Sequence, residues 1–460
     1  MVVRGQRSDR LRAGIAPYSN RPVVRISNLY ATSWRGDHQH EGPSVLPDQL
    51  KFSRLEQFYR SSADQLPVVL HSEQVDCATV HCHRWRAGTA TAGRLWLFLM
   101  PSGQVVVGLS LDVACPLVDT IDLLEDCYYD DVTIDGADVP TVAAERARGC
   151  GVTVDAAAFA HEKHQMVFSR KLAGKNQADL IQRLVYRANL PFRPEFSAIS
   201  YPGELNRRPN TVTAVGPYVS VFCGHQDYVE NAAFVSAAQA VASAARLREI
   251  RNALYLELRR FSTAERAEED TRVRRRTLEQ ITDDLTRLEL DLSVSVEAPA
   301  DLRVLVPSLR VAEYHEAVYT ALGMKDLAAT ASRMLRRLEA TARSELTSIE
   351  SIERRADEDR RLRWTVAIGF VSAVAIPVGL VLAFFGVNAS QVEDDRSMFD
   401  PTYAWVYAGV ALLAVVAVAL ALTLYVHQVR QHRKLLEGPG RLPALAQPPE
   451  IPAQRQPQQP

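Results

Sequence analysis

The sequence predicts an α/β cytoplasmic domain, then a long helical hairpin and a stalk helix, then two transmembrane α-helices. Three observations predict it. Strand-like and helix-like runs mix between residues 61 and 228. From 229 to 363 the chain is rich in Ala, Leu, Arg and Glu at helical spacing and poor in Pro and Gly. Near the C-terminus lie two runs without a charged residue, 364–388 and 403–426.

The 460 residues exceed one ordinary core, so about two or three folding units are expected. A net charge of −1 argues against a protein that coats nucleic acid, and no nucleic-acid partner is expected. The N-terminus, MVVRGQRSDRLRAG, has no apolar core of a secretory signal, so residues 1–363 are expected to stay on the side where they are made. Six scattered cysteines lack CxxC spacing and are expected to be reduced. The group Cys77, His81, Cys82 and His83 has soft-metal ligand types but no second ligand pair at finger-like spacing. A strand with alternating polar groups explains it as well.

In chain order, residues 1–60 are Arg-rich, punctuated by Ser, Asn and Pro, and predict a disordered extension. The α/β domain follows over 61–228. Strand-like runs lie at Val68–Leu70, Leu95–Leu99 and Gln104–Leu109, and Pro101-Ser102-Gly103 makes the last two a hairpin. Helix-like runs lie at Val118–Cys127 and Gln177–Arg187. Two more strand-like runs, Thr211–Val215 and Tyr218–Cys223, flank the Gly216-Pro217 turn. No Gly-rich phosphate loop, nucleophile elbow or other catalytic constellation occurs, so no enzyme is predicted.

Residues 229–325 read as the helical hairpin and a short helix. Ala240, Ala244, Leu247, Leu254 and Leu258 recur at helical spacing, then Val273, Leu278, Ile281, Leu285, Leu288 and Leu292. The turn is expected near Ser262-Thr263, and a break at Ala298-Pro299. The short helix ends at Gly323, a residue suited to a helix C′ position. The stalk, 326–363, carries Leu327, Ala331, Met334, Leu338, Ala342, Leu346, Ile349 and Ile352, a stripe suited to coiled-coil contact. Copies of the chain about a symmetry axis, or the preceding hairpin, would cover that stripe.

Trp364–Val387 would span about 36 Å as a helix, enough for a hydrocarbon core of about 30 Å. Arg354, Arg355, Arg360, Arg361 and Arg363 precede the first run, and Arg430, Arg433 and Lys434 follow the second. The loop 389–402 holds Arg396 against Glu393, Asp394, Asp395 and Asp400. This bias predicts a multi-pass plasma-membrane protein with both termini cytoplasmic. The tail, 427–460, is basic, then rich in Pro and Gln, and predicts disorder. The Arg-rich, Ala- and Val-rich composition suggests a bacterial source.

The run Pro377-Val-Gly-Leu-Val-Leu-Ala-Phe-Phe-Gly386-Val387-Asn388 resembles the end of the first transmembrane helix in CorA-type divalent-cation channels. That family places an aromatic-Gly-Met-Asn motif with its Gly nine positions after a proline, as Gly386 stands after Pro377 here. Phe385 fills the aromatic place, and Val387 replaces the usual Met. The family's Met-Pro-Glu-type outer element is absent. The sequence-specific likeness covers about 364–434.

The resemblance implies a CorA-like funnel, a homopentamer in the lipid bilayer, with the first span lining an ion channel. It implies transport of a divalent cation, Mg²⁺ first, with Mg²⁺ also a candidate regulator and no organic cofactor. Mg²⁺ sheds its inner waters reluctantly, so a selectivity filter of Gly386, Val387 and Asn388 would hold the hydrated ion through carbonyl oxygens. Gly386 would let the backbone bend and present its own carbonyls. Thr365, Ile368, Ser372, Ile376, Gly379 and Ala383 are the candidate pore-lining residues, and Glu393, Asp394 and Asp395 the outer cation-attracting loop. Asp126, Asp130 and Asp131 are candidate regulatory metal ligands. Transport of Zn²⁺, Co²⁺ or Ni²⁺ by the same fold, and a non-conducting membrane scaffold or sensor, are the alternatives.

Overall fold

A computed structural model describes residues 23–36, 50–86, 88–170, 177–190, 197–266 and 271–387, with part of 401–426. The chain divides into two units, Met1–Leu346 and Thr347–Pro460. The first is an α/β domain with a large sheet, followed by helices.

Its central strand is β1, Val23–Arg35. Ile26, Tyr30 and Trp34 are buried on one face, Leu29 and Ala31 on the other. Burial on both faces removes the alternation that marks a half-exposed strand, and the polar residues Ser27, Asn28 and Thr32 interrupt the apolar run. The segment therefore reads as disorder in the sequence. Inside the fold each of the three makes a bond: Ser27 Oγ with Ser110 Oγ (2.8 Å), Thr32 Oγ1 donating to the Val105 carbonyl (2.6 Å), and Asn28 Oδ1 accepting from Gln165 Nε2 (2.7 Å).

The remaining elements of this domain are α1 (Glu56–Ser61), β2 (Val68–Val75), β3 (Val80–Cys82), β4 (Ala90–Leu99), β5 (Gln104–Ala114), α2 (Thr120–Tyr128), β6 (Val132–Ile134), β7 (Ala137–Asp138), α3 (Val139–Gly149), β8 (Lys163–Ser169), α4 (Gln177–Val185), β9 (Val212–Val215) and β10 (Val219–Cys223). Seven strands form one sheet in the order β2-β4-β5-β1-β8-β10-β9. Its pairs are antiparallel except β8 with β10, which are parallel and joined by a crossover containing α4. β3, β6 and β7 make a small second sheet. β4 and β5 turn at Pro101-Ser102-Gly103, where Gly103 has φ +77° and its N–H donates to the Met100 carbonyl (2.8 Å). One sheet face packs against α2, α3 and α4.

The other face packs against α5, Asp227–Arg266. Ala233, Ala237, Ala240 and Ala245 are buried along α5, and such small side chains let a helix lie close on a sheet. Gly108 on β5 belongs to the same fit: a Cβ there would stand 3.0 Å from Phe234 Cζ and 3.3 Å from Phe98 Cε2. α6, Thr271–Leu292, buries Leu278, Ile281, Leu285 and Leu292, a helical stripe. α5 runs four residues beyond Ser262, past the expected turn.

The expected break at Ala298-Pro299 falls just after that pair. A π turn, Ser293–Glu297, leads into α7 (Ala298–Ala300), and helix ends there, with Asp301 outside it at φ −102° and ψ 69°. α8 (Leu302–Leu305) and α9 (Leu309–Ala321) follow. His315 on α9 is buried between α5 and α7. Its Nε2 donates to the Pro299 carbonyl (2.8 Å), which leaves Nδ1 to accept from Ser236 Oγ (2.7 Å). At Gly323, φ is +66° and the chain turns into α10, Met324–Val387, a single helix of 64 residues. Ala331, Leu335 and Leu338 join the buried cluster that holds Ile281 and Leu285, and Arg274 pairs with Glu345 (2.9 Å).

The C-terminal expectation requires correction. Among the described residues, no helix is long and apolar enough to cross a membrane. The run 364–387 is not a helix of its own: it is the end of α10, continuous with the charged stalk that runs to Arg363. Several of its side chains, and alternate stretches of 403–426, lie outside the described residues, and what is described contains no sufficient apolar window. A two-transmembrane C-terminus, the CorA-like funnel, the membrane and ion-channel assignment, and a multi-pass plasma-membrane placement are therefore not supported.

Candidate functional site

The residues singled out at the end of α10 share one helical backbone. Pro377 sits inside the helix without ending it, although a proline there removes one i to i−4 hydrogen bond. Helix continues through Gly386 to Val387, so the backbone does not leave helix at Gly386 as the sequence suggests. Asn388 lies outside the described residues, as do Glu393, Asp394 and Asp395.

The six candidate pore-lining residues, Thr365, Ile368, Ser372, Ile376, Gly379 and Ala383, are all exposed in the single chain. Ile368 is 61% and Ile376 59% accessible, with Trp364 at 70%. Thr365 Oγ1 donates to the Arg361 carbonyl (2.8 Å), a local bond that hides the hydroxyl's polarity within the helix. A Cβ on Gly379 would meet nothing within 4 Å. The backbone thus presents a long uncharged surface.

The three candidate regulatory aspartates are placed differently from one another. Asp126, at the C-terminal end of α2, is fully buried, and its Oδ2 accepts the backbone N–H of Arg84 (2.8 Å) and of Trp85 (2.9 Å). It pins the loop after β3 to α2. Asp130 has φ +62° in the turn after α2, and its Oδ2 pairs with Lys163 Nζ at 2.5 Å. Asp131 is exposed, and its backbone N–H donates to the Asp126 carbonyl. Neighbouring Glu125 pairs with Arg84 (3.3 Å) and Arg187 (3.6 Å), and the Arg187 guanidinium stacks 3.5 Å from the Tyr128 ring centroid. Two of the three aspartates therefore hold the domain's own donors.

All six cysteines are free thiols. Burial and the nearby Asp126 push the Cys82 thiol up to about 12, so it stays protonated near neutral pH. Among the described residues, no group of three or more His, Cys, Asp or Glu side chains could hold a metal ion.

Comparison with known proteins adds no relative. No family model, curated protein or solved structure matches the chain. The likeness to CorA-type proteins thus rests on the residues of the 364–434 region alone.

Sequence reading missed a polar cavity in the α/β domain. Its walls come from strand positions such as Arg25, Arg94 and Asp112 and from Glu230 on α5. These residues stand far apart along the chain and carry no local motif; only the strand order β4-β5-β1 with α5 laid across it brings them together.

Proposed function

We propose that this chain passes a divalent cation, Mg²⁺ first, along the axis of a homo-oligomer. The observation that carries this reading is α10, which runs unbroken from the α/β domain to Gly386-Val387 and leaves its uncharged end exposed in the single chain. An exposed apolar surface of that kind marks a contact surface. Copies of the chain around an axis cover it with the same residues on every copy. The resemblance to the CorA family implies five copies. A ring of Asn388 amides at the end of α10 would offer neutral acceptors to the hydrated ion, which suits a cation that dehydrates reluctantly. Zn²⁺, Co²⁺ or Ni²⁺ is the competing cargo.

The test is divalent-cation flux into vesicles carrying the purified full-length chain, wild type against Asn388→Ala. The expected result is Mg²⁺ entry that falls about tenfold or more in the variant, a loss of about 1.4 kcal/mol at the barrier. Entry of Zn²⁺ but not Mg²⁺ would change the cargo. No flux of any divalent cation would overturn transport and favour a non-conducting oligomeric scaffold. That second reading draws support from Asp126 and Asp130, which the domain already uses for its own donors.

A further inference from the structure

We infer that a second cavity, where the middle of α5 passes the start of α10, binds an amphiphilic monoanion: a carboxylate with an aliphatic chain. The cavity measures about 500 Å³, within the range of about 300–1,000 Å³ usual for small-molecule sites. Its walls come from α5, from the junction of α9 and α10, from the start of β8, and from Tyr128 and Tyr218.

Helical spacing sets the polarity of the α5 wall. Val241, Ala244, Arg248 and Arg251 stand three or four residues apart and all line the cavity, so they form one stripe on the helix. Ten steps of about 1.5 Å separate Val241 from Arg251, or about 15 Å along the axis. The stripe is apolar at its first end and basic at its second. Leu322, Met324 and Leu327 line the cavity from the α9–α10 junction. Met324 is buried, and its unbranched side chain adapts to the shape of a neighbour. Leu327 is 37% exposed, and an aliphatic chain in the cavity would take it out of water.

The basic end offers one uncommitted charge. Arg248 pairs with Glu162, just before β8. Lys163 Nζ pairs with Asp130 Oδ2 (2.5 Å) and donates to the Tyr128 carbonyl (3.0 Å). Arg251, about one helical turn beyond Arg248, is half-buried and has neither an ion pair nor a side-chain hydrogen bond among the described residues. Its guanidinium is a planar fork of N–H donors that matches a carboxylate through two parallel bonds. Asn252 lines the same cavity and adds an amide donor.

Other ligand classes fit less well. A cation would meet Arg251, and the Tyr128 ring already has the Arg187 guanidinium 3.5 Å and Lys163 Nζ 5.8 Å from its centroid. A polyphosphate would bring more negative charge than one free guanidinium offsets. A neutral apolar molecule would strip water from Arg251 and give it no acceptor.

The experiment titrates the full-length chain with octanoate, with acetate as the head-only control and octanol as the chain-only control. Calorimetry and melting shifts are the readouts. The expected result is that one octanoate binds per chain and that both controls bind about tenfold or more weakly. Arg251→Gln should weaken octanoate by about tenfold or more and leave octanol unchanged. Leu327→Asp, which sets a negative charge on the apolar wall, should weaken octanoate too. Circular dichroism confirms that each variant is folded. If Arg251→Gln does not fold, Leu327→Asp and the wild-type ratio of octanoate to octanol carry the test. No octanoate binding, uptake of many equivalents per chain, octanol binding as tightly as octanoate, or folded variants that bind like wild type would overturn the inference. Cation flux is a separate measurement on the far end of α10, so either reading can fail without the other.

Discussion

Replacing Asp126 separates a structural carboxylate from a cation ligand. Its Oδ2 accepts two backbone N–H groups, from Arg84 at 2.8 Å and Trp85 at 2.9 Å, at a site with no solvent exposure. Asp126→Ala leaves both donors without an acceptor, and an orphaned buried donor costs about 1–3 kcal/mol, so the pair costs about 2–6 kcal/mol. Asp126→Asn keeps one acceptor oxygen and loses the charge that strengthens both bonds, at about 1–2 kcal/mol. A domain's margin is about 5–15 kcal/mol, so the alanine variant would be severely weakened. Urea unfolding followed by tryptophan fluorescence suits the measurement, because Trp85 is buried beside the substitution. At a slope of about 2 kcal/mol per M, the midpoint should fall by about 1–3 M for Ala and by less than about 1 M for Asn. A midpoint for Asp126→Ala unchanged from wild type in cation-free buffer would refute the reasoning and return Asp126 to the candidate ligands.

Acid should weaken the fold through buried histidine. Burial holds His315 neutral, down to about 4 from the ordinary 6.5, so the unfolded chain binds the extra proton between those values and stability falls as pH drops from 6.5 to about 4. His315→Gln should flatten that slope, read as urea midpoints at pH 7, 5.5 and 4.5. Gly108→Val would press a Cβ to 3.0 Å from Phe234 Cζ and cost about 1–3 kcal/mol in a thermal melt. Adding Phe234→Leu should recover part of that loss, because the two sites touch. Ile368→Glu, at an exposed position on α10, should reduce the sedimentation coefficient of the detergent-free full chain. An unchanged coefficient would mean that this face is not an assembly contact.

Sequence pattern showed most where one face of an element stays outside the core. The stripe Leu278, Ile281, Leu285 and Leu292 of α6 is a plain helical period, and the turn at Gly103 is written in Pro-Ser-Gly. β1 was not legible, because both its faces are covered and its polar residues bond within the sheet. The π turn just before Pro299 was hidden for another reason: no residue type signals a π turn. The acidic segment after α2 looked like a cation collector because charge is visible in sequence. The two backbone N–H groups that Asp126 accepts, brought by a loop some forty residues earlier, are not.

The end of α10 was legible as chemistry and not as structure, and a comparison of magnitudes shows what the stalk must contribute. Trp364, Ile368, Val371 and Ile376 are exposed in the single chain. Full burial gains about 1.5–3 kcal/mol per large apolar side chain, or about 6–12 kcal/mol for these positions together. Association costs about 4–15 kcal/mol in lost motion, so this surface alone gives weak, concentration-dependent assembly. Further apolar contact must come from elsewhere on the helix, and α10 offers it: Leu327 and Ile352 are exposed on the stalk upstream of Trp364. If copies of α10 pack together, substitution at Ile352 should weaken assembly as Ile368→Glu does. An Ile352→Glu chain that assembles as tightly as wild type would confine the contact to residues after 363, and the stalk would then serve only its own domain.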